Sequence, residues 1–352
     1  MDLVLVFAQL GLGALGILGV AVSEASSWPD QALRIAIAFS VTMIFAIIPS
    51  QRIIRLSPFV YVAVLLALVL VLFIGVSPAG SSAQRWFLIG NFTIQPSELM
   101  KVAVIAYLSA FFYNHLGDWQ LWRPMLVIGL AAGLIMLEPD FSTAGFVFCL
   151  AFAMLLAAGT TLTRLLSITI VAAIIAAFMV SVSLDDNPYV MRRFNSWREM
   201  VFNGNIDSTG ENFQIDRARE GLEEGGFLGL GSAAKTKIPE ADTDMIAVSI
   251  AQALGFIGIA TLAIFYLLIA RRGLKIASLV EGPAALLAAG ATLYICGQAG
   301  LNLLVTSGVL PVTGIPLPFV SYGFNSLISV AIAMGFIHNA YRQLRSQYAA
   351  RS

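Results

Sequence analysis

Leu56-Ser-Pro-Phe-Val-Tyr-Val-Ala-Val-Leu-Leu-Ala-Leu-Val-Leu-Val-Leu-Phe-Ile-Gly-Val76 runs through 56–76 without one charged side chain. About 20 apolar residues at 1.5 Å per residue cross a hydrocarbon core of roughly 30 Å, so this stretch reads as a spanning helix. Similar apolar stretches lie at 3–22, 31–48, 97–113, 124–137, 141–158, 163–183, 245–270, 282–306 and 324–341, which makes ten predicted spans. The stretch at 124–137 is short and runs into Glu138-Pro139-Asp140, so the boundary between the fifth and sixth spans is the least sharply marked. Of the 352 residues 59% are hydrophobic and 11% charged, and the mean hydropathy is +0.86. Soluble domains carry about a quarter charged residues. The composition excludes a soluble enzyme, a nucleic-acid binder and a disordered chain, and points to an all-α polytopic membrane protein whose 352 residues form a single transmembrane domain. The first apolar run begins almost at Met1, without a basic stretch before it or a small-residue cleavage pattern after it, and reads as a span and not a signal peptide. Cys149 and Cys296 sit inside apolar runs and imply no disulfide framework.

Net charge is zero, so the information lies in where the Lys and Arg fall. With a cytoplasmic N-terminus, the inside loops hold Arg52, Arg55, Arg123, Arg164, Arg271, Arg272, Lys275, Arg342, Arg345 and Arg351. The short outside loops hold little beyond Arg34 and Arg85. This asymmetry predicts both termini inside and puts the long segment from about 185 to 244 outside, before the eighth span. That segment holds Trp197, Phe202, Phe213 and Phe227 and is large enough to form a site.

Ionisable groups within or beside spans are costly, so each is a functional candidate. Glu98 and Lys101, three residues apart, share one helix face and can neutralise each other. Glu138 and Asp140 flank Pro139 at an outside span end, where solvated carboxylates are also tolerated. Lys235 to Asp244 brings several charges and Pro239 to the mouth of the eighth span. There Asp242 or Thr243 suits a helix N-cap. Asp244 reads either as a helix-start acid or as a carboxylate in a membrane cleft with the raised pKa of a general base. No nucleophile elbow, Walker loop or metal cluster is spelled out, and His115 and His338 fall on the predicted inside. The glycine-rich 225–231 lacks the context of a phosphate loop and reads first as a flexible turn back to the membrane. Gly314 to Tyr322 is apolar and broken by prolines. Such backbone survives near a membrane only when buried in protein or lining a cavity, so it reads as a re-entrant wall of the same outside cleft.

Four blocks together resemble the SEDS family (shape, elongation, division and sporulation) of RodA/FtsW-type proteins. They are Arg85-Trp86 with Gln95-Pro96-Ser97-Glu98 and Lys101; Pro139-Asp140 with Thr143-Ala144; Pro239-Glu240 with Thr243-Asp244; and Leu310 to Phe319 with Ser321-Tyr322-Gly323. Gln298 and Asn302 also match, and the resemblance covers essentially the whole chain. It implies a peptidoglycan glycosyltransferase in the bacterial cytoplasmic membrane. Such an enzyme polymerises lipid II, the undecaprenyl-pyrophosphate disaccharide pentapeptide, on the outer face by inverting transfer. The resemblance implies that Asp244 is the catalytic base and that a class B penicillin-binding protein is the partner. Candidate substrate contacts are Arg85, Glu98, Lys101, Asp140, Arg192, Arg193, Lys235, Lys237, Glu240, Ser321 and Tyr322. The leaving pyrophosphate needs cations, supplied by Arg85, Arg192, Arg193, Lys235 or Lys237, or by a divalent ion such as Mg or Mn that this sequence does not spell out. Two other classes stay open: a flippase of the lipid-linked precursor and a non-catalytic scaffold for the penicillin-binding protein. The chain departs from the family pattern at Glu138, Phe141 and Ser142, at Glu224, after Asp244, where the usual two acids are absent, and at Phe324 and Asn325. A role in elongation, division or sporulation is not separable on these residues.

Overall fold

The computed structural model describes residues 1–24, 26–77, 84–90, 92–114, 121–161, 213–231 and 240–350, with the single residues 163, 166, 198, 234 and 238. The predicted span at 163–183, apart from residues 163 and 166, and most of the long loop lie outside the described residues. So do Arg192, Arg193, Lys235 and Lys237.

Among the described residues the helices are α1 (Leu3–Ser23), α2 (Trp28–Ile47), α3 (Ser50–Ile74), α4 (Pro96–Asn114), α5 (Trp122–Leu137), α6 (Phe141–Ala157), α7 (Phe213–Gly225), α8 (Ile246–Leu279), α9 (Pro283–Thr306) and α10 (Phe324–Ala349). Five of them, α1, α2, α3, α8 and α9, are long and apolar enough to cross a membrane. The shorter α5 and α6 have 16 and 17 residues, or about 25 Å at helical rise. Local chemistry starts several helices. The Asp2 carboxylate accepts the amides of Val4 and Leu5 at 3.1 and 3.3 Å, and Asp140 accepts the Thr143 amide at 3.1 Å. Both satisfy donors that a helix N-terminus leaves without partners.

Buried position sorts the helices. On α2 and α3, Leu33, Ile44, Leu66 and Phe73 face outward, as lipid-facing side chains do. On α4, almost every residue from Pro96 to Phe112 is buried, because α3, α6, α9 and α10 surround it. Its two charges therefore face protein and not hydrocarbon.

Four features differ from the sequence reading. A two-stranded hairpin, β1 (Phe87–Ile89) and β2 (Phe92–Ile94), pairs antiparallel between α3 and α4. Three-residue strands leave no trace in a search for 20-residue apolar windows. The hairpin is tied to α10: Asn325 Nδ2 donates to Thr93 O at 2.9 Å, Gln95 N donates to Asn325 Oδ1 at 3.3 Å, and the Phe92 and Phe324 rings lie 6.3 Å apart. Phe324 and Asn325, two departures from the family pattern, thus have a local structural role.

The eighth predicted span is broken. α8 runs from Ile246 to Leu279, but Gly255 has φ 63° and ψ −154°. A Cβ there would lie 2.5 Å from the backbone of Phe227 and Gly229, a conformation and an approach open only to glycine. The segment after α7 repairs the break. Leu230 N donates to Gln252 O at 2.7 Å and Phe256 N donates to Gly226 O at 2.9 Å. These bonds use backbone groups that a continuous helix would have paired with each other. The glycine-rich stretch is therefore packed against α8 and is not a loose turn. The expected N-cap is also absent: Met245 occupies that position without a side-chain cap.

Candidate functional site

Residues 240–245 form a tight turn at the entrance to α8. Glu240 takes φ 57°, and its carbonyl accepts the amides of Thr243 and Met245 at 3.2 and 3.0 Å. Its carboxylate accepts the Thr243 hydroxyl at 2.7 Å. Thr243 is thus used inside the turn, which explains why it does not cap the helix.

The proline-broken segment between α9 and α10 holds this turn from the other side. Tyr322 N donates to Asp242 O at 2.8 Å. Ser321 Oγ donates to Thr243 O at 2.7 Å and accepts the Leu317 amide at 2.7 Å. From α9, Asn302 Nδ2 donates to Asp244 O and to Ile315 O, both at 2.8 Å. Three consecutive carbonyls, those of Asp242, Thr243 and Asp244, are each held from outside the turn. The half-buried Asp244 side chain is directed at the segment itself: a Cβ built on Gly314 would lie 3.4 Å from Asp244 Oδ2. Gly314 has φ 73°, so glycine both allows the local backbone and keeps this approach narrow. The proline-broken segment is packed into protein, as such backbone requires. Residues 311–317 are non-helical, while Ile315, Leu317, Phe319, Val320 and Ser321 are buried.

A second layer fixes the wall. Tyr266 OH donates to Pro318 O at 2.6 Å, Gln31 Nε2 donates to Val320 O at 2.9 Å, and Arg34 donates to Tyr322 O at 3.1 Å. The Arg34 guanidinium also lies 3.8 Å from the centre of the Tyr322 ring, a cation–π arrangement. Burial raises the Asp242 carboxyl above the usual range, with Glu240 and Glu24 adding to the rise and Arg34 opposing it. From sequence Arg34 reads as an outside-loop residue, and Gln31 and Tyr266 carry no motif that marks them. The available signal was two polar residues three apart inside an apolar helix, which places Gln31 and Arg34 on one face of α2.

Glu98 and Lys101 form the predicted pair at 2.6 Å and are both buried. Lys101 also donates to Gln298 Oε1 at 3.1 Å, while Ser329 Oγ donates to Glu98 Oε2 at 3.1 Å. Gln298 Nε2 in turn donates to Pro316 O at 2.8 Å. One chain of contacts therefore runs from the buried pair through α9 into the wall against which Asp244 stands. Its members are hydrogen-bonded, as buried charges require.

Arg85 lies elsewhere among these contacts. It donates to the carbonyls of Glu138 and Pro139 at 2.8 and 2.5 Å. Asp140 is buried as the N-cap of α6, and neither carboxylate oxygen of the buried Glu138 has a hydrogen-bond partner. In this turn beyond the helix ends, burial pushes Glu138 up to about 8, with Asp140 reinforcing and Arg85 opposing.

The chain resembles known proteins along nearly its whole length. The family model for FtsW/RodA/SpoVE, described as cell cycle protein, matches residues 3–346. A relative named probable peptidoglycan glycosyltransferase FtsW, from Alkalilimnicola ehrlichii, is 30% identical over 99% of this chain and 88% of its own. The crystal structure of the rod shape determining protein RodA of Thermus thermophilus is similar with a TM-score of 0.68 and 25% identity, covering 97% of this chain and 96% of that one. A chain of a peptidoglycan synthase complex, solved in a study of how polymerization and crosslinking are coordinated, has the same fold. Its TM-score is 0.78 at 24% identity, over 97% of this chain and 98% of that one.

Proposed function

The chain belongs to the FtsW/RodA/SpoVE family of cell cycle proteins, and from that premise we propose that it is a peptidoglycan glycosyltransferase of the bacterial cytoplasmic membrane. Its substrate is lipid II, polymerised on the outer face into β-1,4 glycan in cell elongation or division. The naming of the relatives supports the activity. The observation that carries the mechanism is the turn at 240–245, immobilised through three successive backbone carbonyls while the Asp244 side chain stands at the wall beside Gly314.

Asp244 acts as general base. It takes the proton of the acceptor sugar's 4-hydroxyl as that oxygen attacks the anomeric carbon of the donor. The bond from that carbon to the pyrophosphate breaks, and the lipid pyrophosphate leaves with the electron pair. Attack opposite the leaving group inverts the centre and needs no enzyme nucleophile. Holding the base in a fixed turn supplies the orientation on which such a step depends. Arg192, Arg193, Lys235 and Lys237 in the long loop are assigned to the leaving charge. The Glu98–Lys101 pair orders the wall through Gln298; Glu240, Ser321 and Tyr322 hold the Asp244 turn; and Arg85 and Asp140 order the separate turn between α5 and α6.

Among the described residues no group of three or more His, Cys, Asp or Glu side chains converges to hold a metal ion, and no step here runs through a divalent cation. A class B penicillin-binding protein is the proposed partner, consistent with the fold shared with a chain of a peptidoglycan synthase complex.

The test is polymerisation of purified lipid II by the detergent-solubilised protein, with and without its penicillin-binding protein. Asp244→Asn at matched expression and unchanged melting temperature is expected to lose the ~10²–10⁴-fold that a general base contributes. A variant polymerising at the wild-type rate removes Asp244 from the mechanism.

A further inference from the structure

The last turns of α8 and α10 enclose a cleft of about 250 Å³ lined by Arg272, Lys275, Ile276 and Leu279 from one helix and Tyr341, Leu344, Arg345 and Tyr348 from the other. In each helix the lining residues recur at spacings of three and four, so each presents one face to the cleft. Lys275 lies 20 residues beyond the break at Gly255, or about 30 Å along the helix. The cleft is therefore at the opposite membrane face from Asp244, and the mechanism above does not use it.

Its charges are unevenly satisfied. Arg272 is bound by Asp2, with Nε and a terminal nitrogen 2.7 and 2.6 Å from Oδ2. Asp2 is itself buried at the start of α1. Lys275 and Arg345 are exposed, and no ion pair engages either among the described residues. Glu281, in the turn that follows α8, is not among the lining residues. Its backbone is tied to Gln343 and Gln347 of α10. Two cations thus face a recess whose other walls are aliphatic and aromatic side chains and the Asp2-bound Arg272. Next to it, Leu274 and the lining residue Leu279 are 48% and 44% exposed on the outside of α8.

We infer that this cleft binds the phosphate headgroup of an anionic phospholipid. Lys275 and Arg345 meet the phosphate, and Tyr341 and Tyr348 sit at headgroup depth as interfacial aromatics do. The acyl chains run back toward the hydrocarbon core over Leu274 and Leu267, which are exposed and seven residues apart on one face of α8. Basic recesses between membrane helices suit this ligand, and each cation near an anionic headgroup adds about fivefold in affinity. That exposed apolar face on the membrane side of Lys275 favours a lipid over a soluble anion.

The experiment uses the full chain in neutral detergent, titrated with phosphatidylglycerol, phosphatidylcholine or inorganic phosphate. Thermal unfolding and native mass spectrometry provide the readouts. Phosphatidylglycerol is expected to raise the melting temperature and to remain bound, while the other two do neither. The double variant Lys275→Gln/Arg345→Gln should bind phosphatidylglycerol about 25-fold more weakly, and Lys275→Arg/Arg345→Lys should keep the affinity within about twofold. Both positions are exposed, so the melting temperature without lipid checks that each variant is folded. An equal response to phosphatidylcholine, an equal shift from inorganic phosphate alone, or undiminished binding by the Gln variant each overturns the assignment.

Discussion

Truncating Asn302 to alanine tests whether the hold on the Asp244 turn matters for the reaction. The Asn302 amide nitrogen donates to Asp244 O and Ile315 O, both at 2.8 Å, and thereby ties the Asp244 turn to the wall in a single side chain. Two such bonds contribute about 1 kcal/mol each, and leaving buried carbonyls without donors costs about 1–3 kcal/mol apiece. Against this, Asn302 Oδ1 is itself buried without a partner, so removing it recovers part of a similar penalty. The net expectation is a local loss of about 1–3 kcal/mol, which lowers occupancy of the ordered turn by roughly 5- to 150-fold. Because Asn302 acts through the backbone of Asp244, it is a positioning residue. Its loss should lower kcat for lipid II polymerisation far more than it raises KM. The assay is initial-rate polymerisation over a range of lipid II concentrations, paired with thermal unfolding in the same detergent. If Asn302→Ala polymerises at the wild-type kcat, the clamp is ornamental and the proposed coupling of wall to base is wrong. A fall in melting temperature with kcat intact leads to the same conclusion.

Lys101→Met strands Glu98 as a buried charge and should cost about 3–5 kcal/mol, seen as a large drop in melting temperature; Glu98→Gln combined with Lys101→Met should recover part of it, and no recovery refutes the pairing argument. Gly314→Ala places a methyl 3.4 Å from Asp244 Oδ2 at φ 73°, so polymerisation should fall along with about 1–3 kcal/mol of stability; full activity would show that the approach is not needed. Glu138 keeps its proton up to about pH 8 in the fold, whereas the unfolded chain releases it near the ordinary carboxyl value. Stability should therefore fall as pH rises between those two values, and Glu138→Gln should gain over wild type with rising pH across that window; a pH-independent difference in melting temperature counts against the buried-acid reading.

The membrane class, most helix positions and the Glu98–Lys101 pair were legible in the residues because each depends on local spacing. A run of apolar side chains spans hydrocarbon whatever surrounds it, and two residues three apart share a helix face without help from the rest of the chain. Asp244 was legible as a candidate through its charge at a span entrance and through its motif, but from spacing alone it was also an ordinary helix-start acid. The partners of its turn come from Asn302, Ser321 and Tyr322, some 60 to 80 positions later in the chain. The break at Gly255 was hidden for the same reason. A glycine inside an apolar run is compatible with a straight helix, and what opens this one is the segment 226–230 arriving to bond the freed backbone. Which segments leave water, and which few charges they carry, follows from the residues alone, because hydrophobic transfer is set residue by residue. Which carbonyl each of Asn302, Gln298, Gln31 and Arg34 satisfies depends instead on how the helices pack. A hydrogen bond needs its two partners within about 3 Å, and packing of distant helices is what brings them there.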